Sequence, residues 1–511
     1  MKLDLTRALY ADADPQHARK IFWRVFIVTL LLKLWLAAMF PMTGDEAYFY
    51  QLGVHPAWGY SDHPPMIGWW IYLLNSVSSS TLSVRFFTVL LWSVIALGMV
   101  DLLRRMLPVS QEGAAWWLGS VFLLLPFTLL LNLVTTDTPL IFFMFLSGYC
   151  FVRGVHDSKR WWFVPTGLFL GCALLSKYFA GLLAIAYFVY FCRSWRGWIN
   201  LIIIAAFSAP LFALTMVFNA YHCWTNVMFN LVNRNEGAHW SWETIVQYLV
   251  MMLYLITPWV LWRVLRAGRL LIQHGVLVTL FVVPFAIFLF MSQEKSIGLH
   301  WVLGFMPFLY LFAGLITGAG DLRRYAIWSA LYSLPPLAVM VALMIAPTSM
   351  WQGFALHDDI VFHRETKSIV NFLRKDLPAD GKIMGRFFTP SAILSYHADE
   401  YLPTFGPGKY HARQDDLIVD FREYAGKPIR IFDRRAINVK ELAPYFSSVT
   451  VHEFKVDGVS FWYADGKDFN YDVFRERILK SVWQQYYRIP NFLPMYGCGF
   501  LERYDFPRII R

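Results

Sequence analysis

Residues 22–48 read FWRVFIVTLLLKLWLAAMFPMTGDEAY, an apolar run that ends in Gly44-Asp45-Glu46-Ala47-Tyr48. About 20 such residues cross a hydrocarbon core as a helix, so both carboxylates lie near the boundary of lipid and water. The same connection, residues 41–80, carries Ser61-Asp62-His63-Pro64-Pro65 and contains no Lys or Arg. An ionisable side chain at membrane depth is costly and marks a functional position by default. Acid placed there suits proton chemistry on something that enters from the lipid.

The 511 residues are 57% apolar and 16% charged, with a mean hydropathy of +0.44, far from an average soluble domain. Apolar runs predict spans at 22–40, 81–103, 113–131, 138–153, 161–175, 178–192, 198–219, 244–262, 273–291, 300–318 and 325–346. Beyond residue 347 the chain turns polar and mixed. The expectation is a polytopic α-helical membrane domain of about 11 spans over residues 1–346, followed by a soluble α/β domain over 347–511. The second is large enough to hold its own core. Residues 66–76 are apolar but too short to span, and Pro64-Pro65 opens them. They predict a helix lying in the interface.

A net charge of +10 could suit nucleic acid, but the basic residues are sorted by membrane side and form no patch. With the N-terminus in the cytoplasm, the inner side collects Lys2, Arg7, Arg19, Lys20, Arg24, Arg104, Arg105, Arg153, Lys159 and Arg160. It continues with Arg193, Arg196, Arg263, Arg266, Arg269, Arg323 and Arg324. The outer connections before the tail hold Lys177, Arg234 and Lys295. Seventeen against three sets the orientation by the positive-inside rule and places the C-terminal domain outside. No small-residue cleavage site follows the first run, so it reads as a span and not as a removed signal. Cys150, Cys172 and Cys192 fall in or at the ends of spans, as packing residues do. The outer domain has no even-numbered cysteine set, so no disulfide is expected to hold it.

In the tail, residues 363–375 have helical spacing, 382–388 look extended, and Ile429-Arg430-Ile431-Phe432 is a short strand. Runs 447–455 and 458–464 flank Asp457-Gly458 as a hairpin, and a last helix covers 471–488. No nucleophile motif, metal cage or phosphate loop stands out there.

Under this topology one face carries Asp45, Glu46, Asp62, His63, Asp137, Lys177, Arg234, Glu236, Glu294, Lys295 and His300. Acids and bases at one water-facing cavity suggest a phosphate-bearing substrate beside a proton acceptor. Cations hold phosphate oxygens by charge-assisted hydrogen bonds, and a carboxylate accepts the proton of an attacking hydroxyl. Each position also has a plainer reading. Asp137 before Thr138-Pro139 suits a helix N-cap, Asp62 a turn, and Lys177 and Lys295 interfacial snorkelling. Glu236, Glu294, His239 and His300 read as solvated, and Lys33 in the first span is assigned no chemistry.

These residues resemble the polyprenyl-phosphate-sugar-dependent glycosyltransferases of the GT-C fold. The nearest branch holds the protein O-mannosyltransferases and the lipid A aminoarabinose transferase. The resemblance covers residues 20 to 346, and the tail only by position and α/β character. Asp45-Glu46 matches the family's acidic motif in the first outer loop, and Asp62-His63-Pro64-Pro65 its basic-Pro-Pro motif, with His where the aminoarabinose transferase has Lys. Thr136-Asp137-Thr138-Pro139, Leu175-Ser176-Lys177 and Ser292-Gln293-Glu294-Lys295 match further segments, and Arg234 falls where the family has a phosphate-binding Arg. The resemblance implies Asp45, Glu46 and Asp137 as catalytic residues, and Lys177, Arg234, Lys295 and His63 as donor-phosphate ligands. Asp62, Glu236 and His300 would support the acceptor.

It implies an inverting transfer from a polyprenyl-phosphate-linked sugar to an envelope glycan, lipid or protein, lipid A and lipopolysaccharide included, at a bacterial inner membrane. No cofactor is required; a divalent metal bridging Asp45 and Asp137 is compatible, although no His/Cys ligand spacing demands one. The competing class is a flippase or transporter, which predicts paired repeats and broken helices at the midplane. The sequence shows no inverted repeat.

Overall fold

The computed structural model describes residues 14–233, 239–408 and 413–510. The chain divides into two compact units. The first gathers Met1–Phe40, Val77–Ala213 and Gly237–Ala342; the second gathers Pro41–Ser76, Leu214–Glu236 and Leu343–Arg511.

The first unit is helical. Its opening helix, Pro15–Met39, starts where the Asp14 carboxylate accepts the Gln16 N–H and Pro15 fills the first turn. Among the described residues, six helices are long and apolar enough to cross a membrane: Pro15–Met39, Thr81–Met106, Asp137–His156, Trp195–Tyr221, Leu299–Ile316 and Ala319–Ile345. Runs expected to span at 113–131, 161–175 and 273–291 form shorter helices, Glu112–Leu123, Phe163–Leu174 and Gly275–Met291. The first of these stops ahead of Pro126, which has no N–H to continue the ladder and opens the next helix. The run expected at 244–262 is broken. Trp242–Ile256 and Pro258–Leu265 meet at 97°, around a buried Thr257 with φ of 66°. The Tyr310 hydroxyl donates to the carbonyls of Leu255 and Ile256 at 2.9 Å, satisfying the last turn before the break. Aromatic rings fill the core, as in the cluster of Trp92, Phe122, Phe127 and Tyr310. Lys33 is fully buried and donates to Ser93 Oγ at 3.0 Å.

The second unit is built on a four-stranded sheet: β1 Lys382–Gly385, β2 Ile429–Asp433, β3 Ser448–Val456 and β4 Val459–Lys467. The order is β1-β2-β4-β3, with β1 parallel to β2 and the other pairs antiparallel. Asp457 and Gly458 join β3 to β4 with φ of 47° and 80°, the double left-handed turn that matches the twist of a hairpin. Helix His357–Arg374 covers the sheet, stacking Phe372 on Phe454 at 4.3 Å. The helix expected over 471–488 is present as Tyr471–Phe474, a wider turn at Arg475–Leu479, and Lys480–Tyr486.

The connection over residues 41–80 contributes helices Gly44–Val54 and Met66–Asn75; the second lies where a short, non-spanning helix is expected. Gly44 faces the tail helix Phe388–Ala398 so closely that a Cβ would sit 2.0 Å from the Thr389 methyl. The cysteine reading is corrected here. Cys223 and Cys498 form a disulfide across 275 residues of sequence, so the tail's lone cysteine finds its partner in the loop after Trp195–Tyr221. Trp224 Nε1 donates to the Pro494 carbonyl and Tyr496 N to that of Ala220, fastening the same contact.

Candidate active site

In the first unit, Asp137 opens the helix Asp137–His156, and Lys177 follows Phe163–Leu174 in extended conformation. The Lys177 ammonium donates to both Asp137 oxygens at 2.9 Å, and each residue is only 5% exposed. Asp137 is not the N-cap; Thr136 holds that place without a side-chain cap bond. His300 Nε2 lies 3.8 Å from the second Asp137 oxygen. The Phe179 ring stands 5.4 Å from Lys177 Nζ and packs on Trp301, whose own ring lies 5.6 Å from Lys295 Nζ. Asp137, Lys177, Lys295 and His300, separated in sequence, therefore form one group. Glu294 is exposed on the turn beside it.

Arg85 belongs to the same unit and escaped the sequence reading because it lies inside the apolar run 81–103. It is 1% exposed and donates to the carbonyls of Ala37 at 2.9 Å and Phe40 at 2.7 Å, where the opening helix ends. A buried guanidinium on these terminal carbonyls fixes where the first span stops.

In the second unit, Thr43 and Glu46 form a capping box. Glu46 N–H bonds Thr43 Oγ1, while Glu46 Oε2 accepts from Thr43 N at 3.2 Å and from its hydroxyl at 3.0 Å. Glu46 is fully buried, and Asp45 is exposed on the first turn, where the helix N-terminus favours negative charge. The two acids thus occupy different places: one fixes the helix, the other faces outward. Asp62, 3% exposed, accepts the Tyr48 hydroxyl at 2.7 Å. Burial, then the Asp62 charge, pushes the Tyr48 phenol well above its ordinary range. His63 Nε2 lies 3.4 Å from Asp62, its ring 5.4 Å from that of Phe49 and 6.5 Å from that of Phe229. Asn226 and Asn230 donate to the carbonyls of Tyr60 and Asp62, pinning this loop. Arg234 and Glu236 lie outside the described residues, and His239 is exposed.

Among the described residues no group of three or more His, Cys, Asp or Glu side chains is arranged to hold a metal ion. Both Asp137 oxygens are held by Lys177.

The family described as dolichyl-phosphate-mannose-protein mannosyltransferase matches residues 62–222. No curated protein matches the chain in sequence. Among solved structures, ArnT from Cupriavidus metallidurans in the apo state is similar, with a TM-score of 0.60 at 17% identity, covering 86% of this chain and 97% of that one. The same protein bound to undecaprenyl phosphate gives 0.58 at 16% identity, with 86% and 98% covered. The archaeal oligosaccharyltransferase AglB from Archaeoglobus fulgidus gives 0.45 at 10% identity, with 88% and 74% covered. The chain thus has an ArnT-like fold along most of its length, with helices long and apolar enough to cross a membrane, and residues 62–222 match the dolichyl-phosphate-mannose-protein mannosyltransferase model.

Proposed function

We propose that the chain transfers a sugar, with inversion, from a polyprenyl-phosphate carrier to an acceptor at the outer face of a bacterial cytoplasmic membrane. The observation that carries this is the buried Lys177–Asp137 pair with Lys295 and His300 beside it. Burying an ion pair is costly, so it is retained where it does something. The Asp137 carboxylate holds the Lys177 ammonium in a fixed place, so an arriving phosphate meets an oriented cation. Undecaprenyl phosphate, the ligand of the second ArnT structure, has the chemistry this group suits.

In the proposed reaction an acceptor hydroxyl attacks the anomeric carbon and its proton passes to Asp45. The bond from that carbon to the phosphate oxygen breaks, and polyprenyl phosphate leaves as an anion. The leaving group needs no protonation. Lys177, Lys295 and Arg234 take up charge as it develops, and preorganised charge of this kind is usually the largest catalytic contribution. A single displacement inverts the centre. The acceptor class covers envelope glycans, lipids such as lipid A or lipopolysaccharide, and protein hydroxyls.

The Cys223–Cys498 bridge supports the topology, because disulfides persist in oxidising compartments such as the periplasm. It joins the expected outer connection at 220–243 to the tail, as an inside N-terminus and outside C-terminal domain require. A flippase reading has one observation in its favour, the 97° break at Thr257. Transporter sites use such breaks in pairs, and among the described residues this one has no counterpart. Proteoliposomes given labelled polyprenyl-phosphate sugar separate the two. Label appearing on an acceptor is the expected result; label crossing the bilayer without transfer would overturn the proposal.

A further inference from the structure

Residues 490–498 read Pro-Asn-Phe-Leu-Pro-Met-Tyr-Gly-Cys, a loop of the second unit held in place by four ties. The Cys223–Cys498 disulfide closes its end. Tyr496 N–H donates to the Ala220 carbonyl at 2.8 Å, and Trp224 Nε1 to the Pro494 carbonyl at 2.7 Å. Arg508 donates to the Leu493 carbonyl at 3.3 Å. Ala220 lies in the last turn of Trp195–Tyr221, a helix long and apolar enough to cross a membrane. Its carbonyl is one of the terminal four that the helix itself leaves unbonded, so the loop caps the span and is fixed at the level where the span ends.

A loop tied this firmly could bury its large side chains, yet its rings are uncovered. Phe492 is 83% exposed and Tyr496 69%. The Tyr496 ring lies 5.6 Å from that of Tyr221, itself 53% exposed. In the same last turn Phe218 packs so closely on Gly59 that a Cβ there would sit 2.4 Å from its ring, and the adjacent Trp58 is also exposed. Single exposed apolar residues are ordinary, but a group gathered at one level marks an interaction surface. Tyr and Trp rings, apolar with a polar tip, concentrate where hydrocarbon meets headgroups. Two cations flank the loop. Arg488 and Ile489 pair with Ile509 and Ile510, which sets Arg488 beside Arg508. Both are exposed, and neither forms an ion pair among the described residues. Glu502, an acid close by, is turned to the Cys498 N–H at 3.1 Å.

We infer that residues 490–498 are a membrane anchor. Phe492 and Tyr496, with Tyr221, enter the boundary between headgroups and acyl chains at the face where Trp195–Tyr221 ends, and Arg488 and Arg508 hold anionic headgroups there. The occupant is the bilayer because the patch continues the uncovered apolar side of a spanning helix, on which Val217 is exposed one turn before Tyr221. Interfacial binding grows with buried apolar area and with attraction of cations to anionic lipid. Such an anchor fixes the tail at the membrane whether or not the chain transfers a sugar. It is tested on the full chain in nanodiscs of phosphatidylcholine, alone or mixed equally with phosphatidylglycerol. A photoreactive benzophenone amino acid replaces Phe492 or, as the control, Val217; both positions are exposed, so neither probe disturbs packing. Mass spectrometry should find phospholipid adducts at both, with phosphatidylglycerol preferred at 492. Arg488→Gln and Arg508→Gln should each lower that preference about fivefold. Lipid captured at 217 but not at 492, or another protein chain captured at 492, would overturn the anchor. Lipid capture at 492 that ignores both phosphatidylglycerol and the two Arg variants would overturn the headgroup contact.

Discussion

Asp137 in the first unit and Asp62 in the second are both buried acids beside proline-bearing turns, yet they are held in different ways. Asp137 takes an ammonium on both oxygens and has an imidazole 3.8 Å away. Asp62 takes a phenol at 2.7 Å and an imidazole 3.4 Å away, with no Lys or Arg in its own loop. One acid is paired with an ammonium, which suits a phosphate; the other is bonded to a phenol and lies beside an imidazole, groups that suit hydroxyls. A transferase that joins an anionic lipid donor to a hydroxylated acceptor needs both kinds of surface.

The largest expected effect tests the charged side. Lys177→Met should destabilise the first unit by about 3–5 kcal/mol, because Asp137 is left buried and uncompensated. Adding Asp137→Leu should recover most of that loss in detergent unfolding followed by tryptophan fluorescence. Equal losses in the single and double variants would show that the pair is not coupled. On the other side, Cys498→Ser should lower second-unit stability by about 2–4 kcal/mol. Dithiothreitol should do the same to the parent and nothing further to the variant, read by limited proteolysis. Tyr48→Phe is expected to cost about 1.5–3 kcal/mol, the range for a hydrogen bond to a charged group, and an unchanged melting curve would mean Asp62 has another partner.

The last effect is a pH slope. Burial first, then the charges of Lys367 and His363, pulls His397 from its ordinary 6.5 down to about 4, and its Nε2 is buried without a partner. The folded chain keeps this ring neutral while the unfolded chain takes up a proton. Stability therefore rises with pH between about 4 and 6.5 and is lost on acidification through that window. The slope from this residue is at most about 1.4 kcal/mol per pH unit. His397→Phe should flatten it in thermal melts taken across the range.

Much of the fold could be read in the sequence because it is written locally. Apolar run length marks the six long helices, and Asp457-Gly458 between alternating strands marks the hairpin. What escaped depended on distant partners or competing signals. Cys498 looks unpaired until Cys223, 275 residues away, is brought to it. Helix Phe388–Ala398 follows directly on β1 and contains Pro390, so its start merges with the extended run before it. Two signals were present and unused. Thr43 with Glu46 three residues on is the capping-box pattern, and Arg85 was a charge near the start of an apolar span. The grouping of Asp137, Lys177, Lys295 and His300 was foreshadowed by their shared expected side.

The most direct measurement is single-turnover sugar transfer by Asp45→Asn beside the parent chain, with undecaprenyl phosphate affinity measured on the same preparations. Loss of a positioned base predicts a rate lower by about 10²–10⁴ with donor affinity held. Transfer at the parental rate by a folded Asp45→Asn protein would contradict the account.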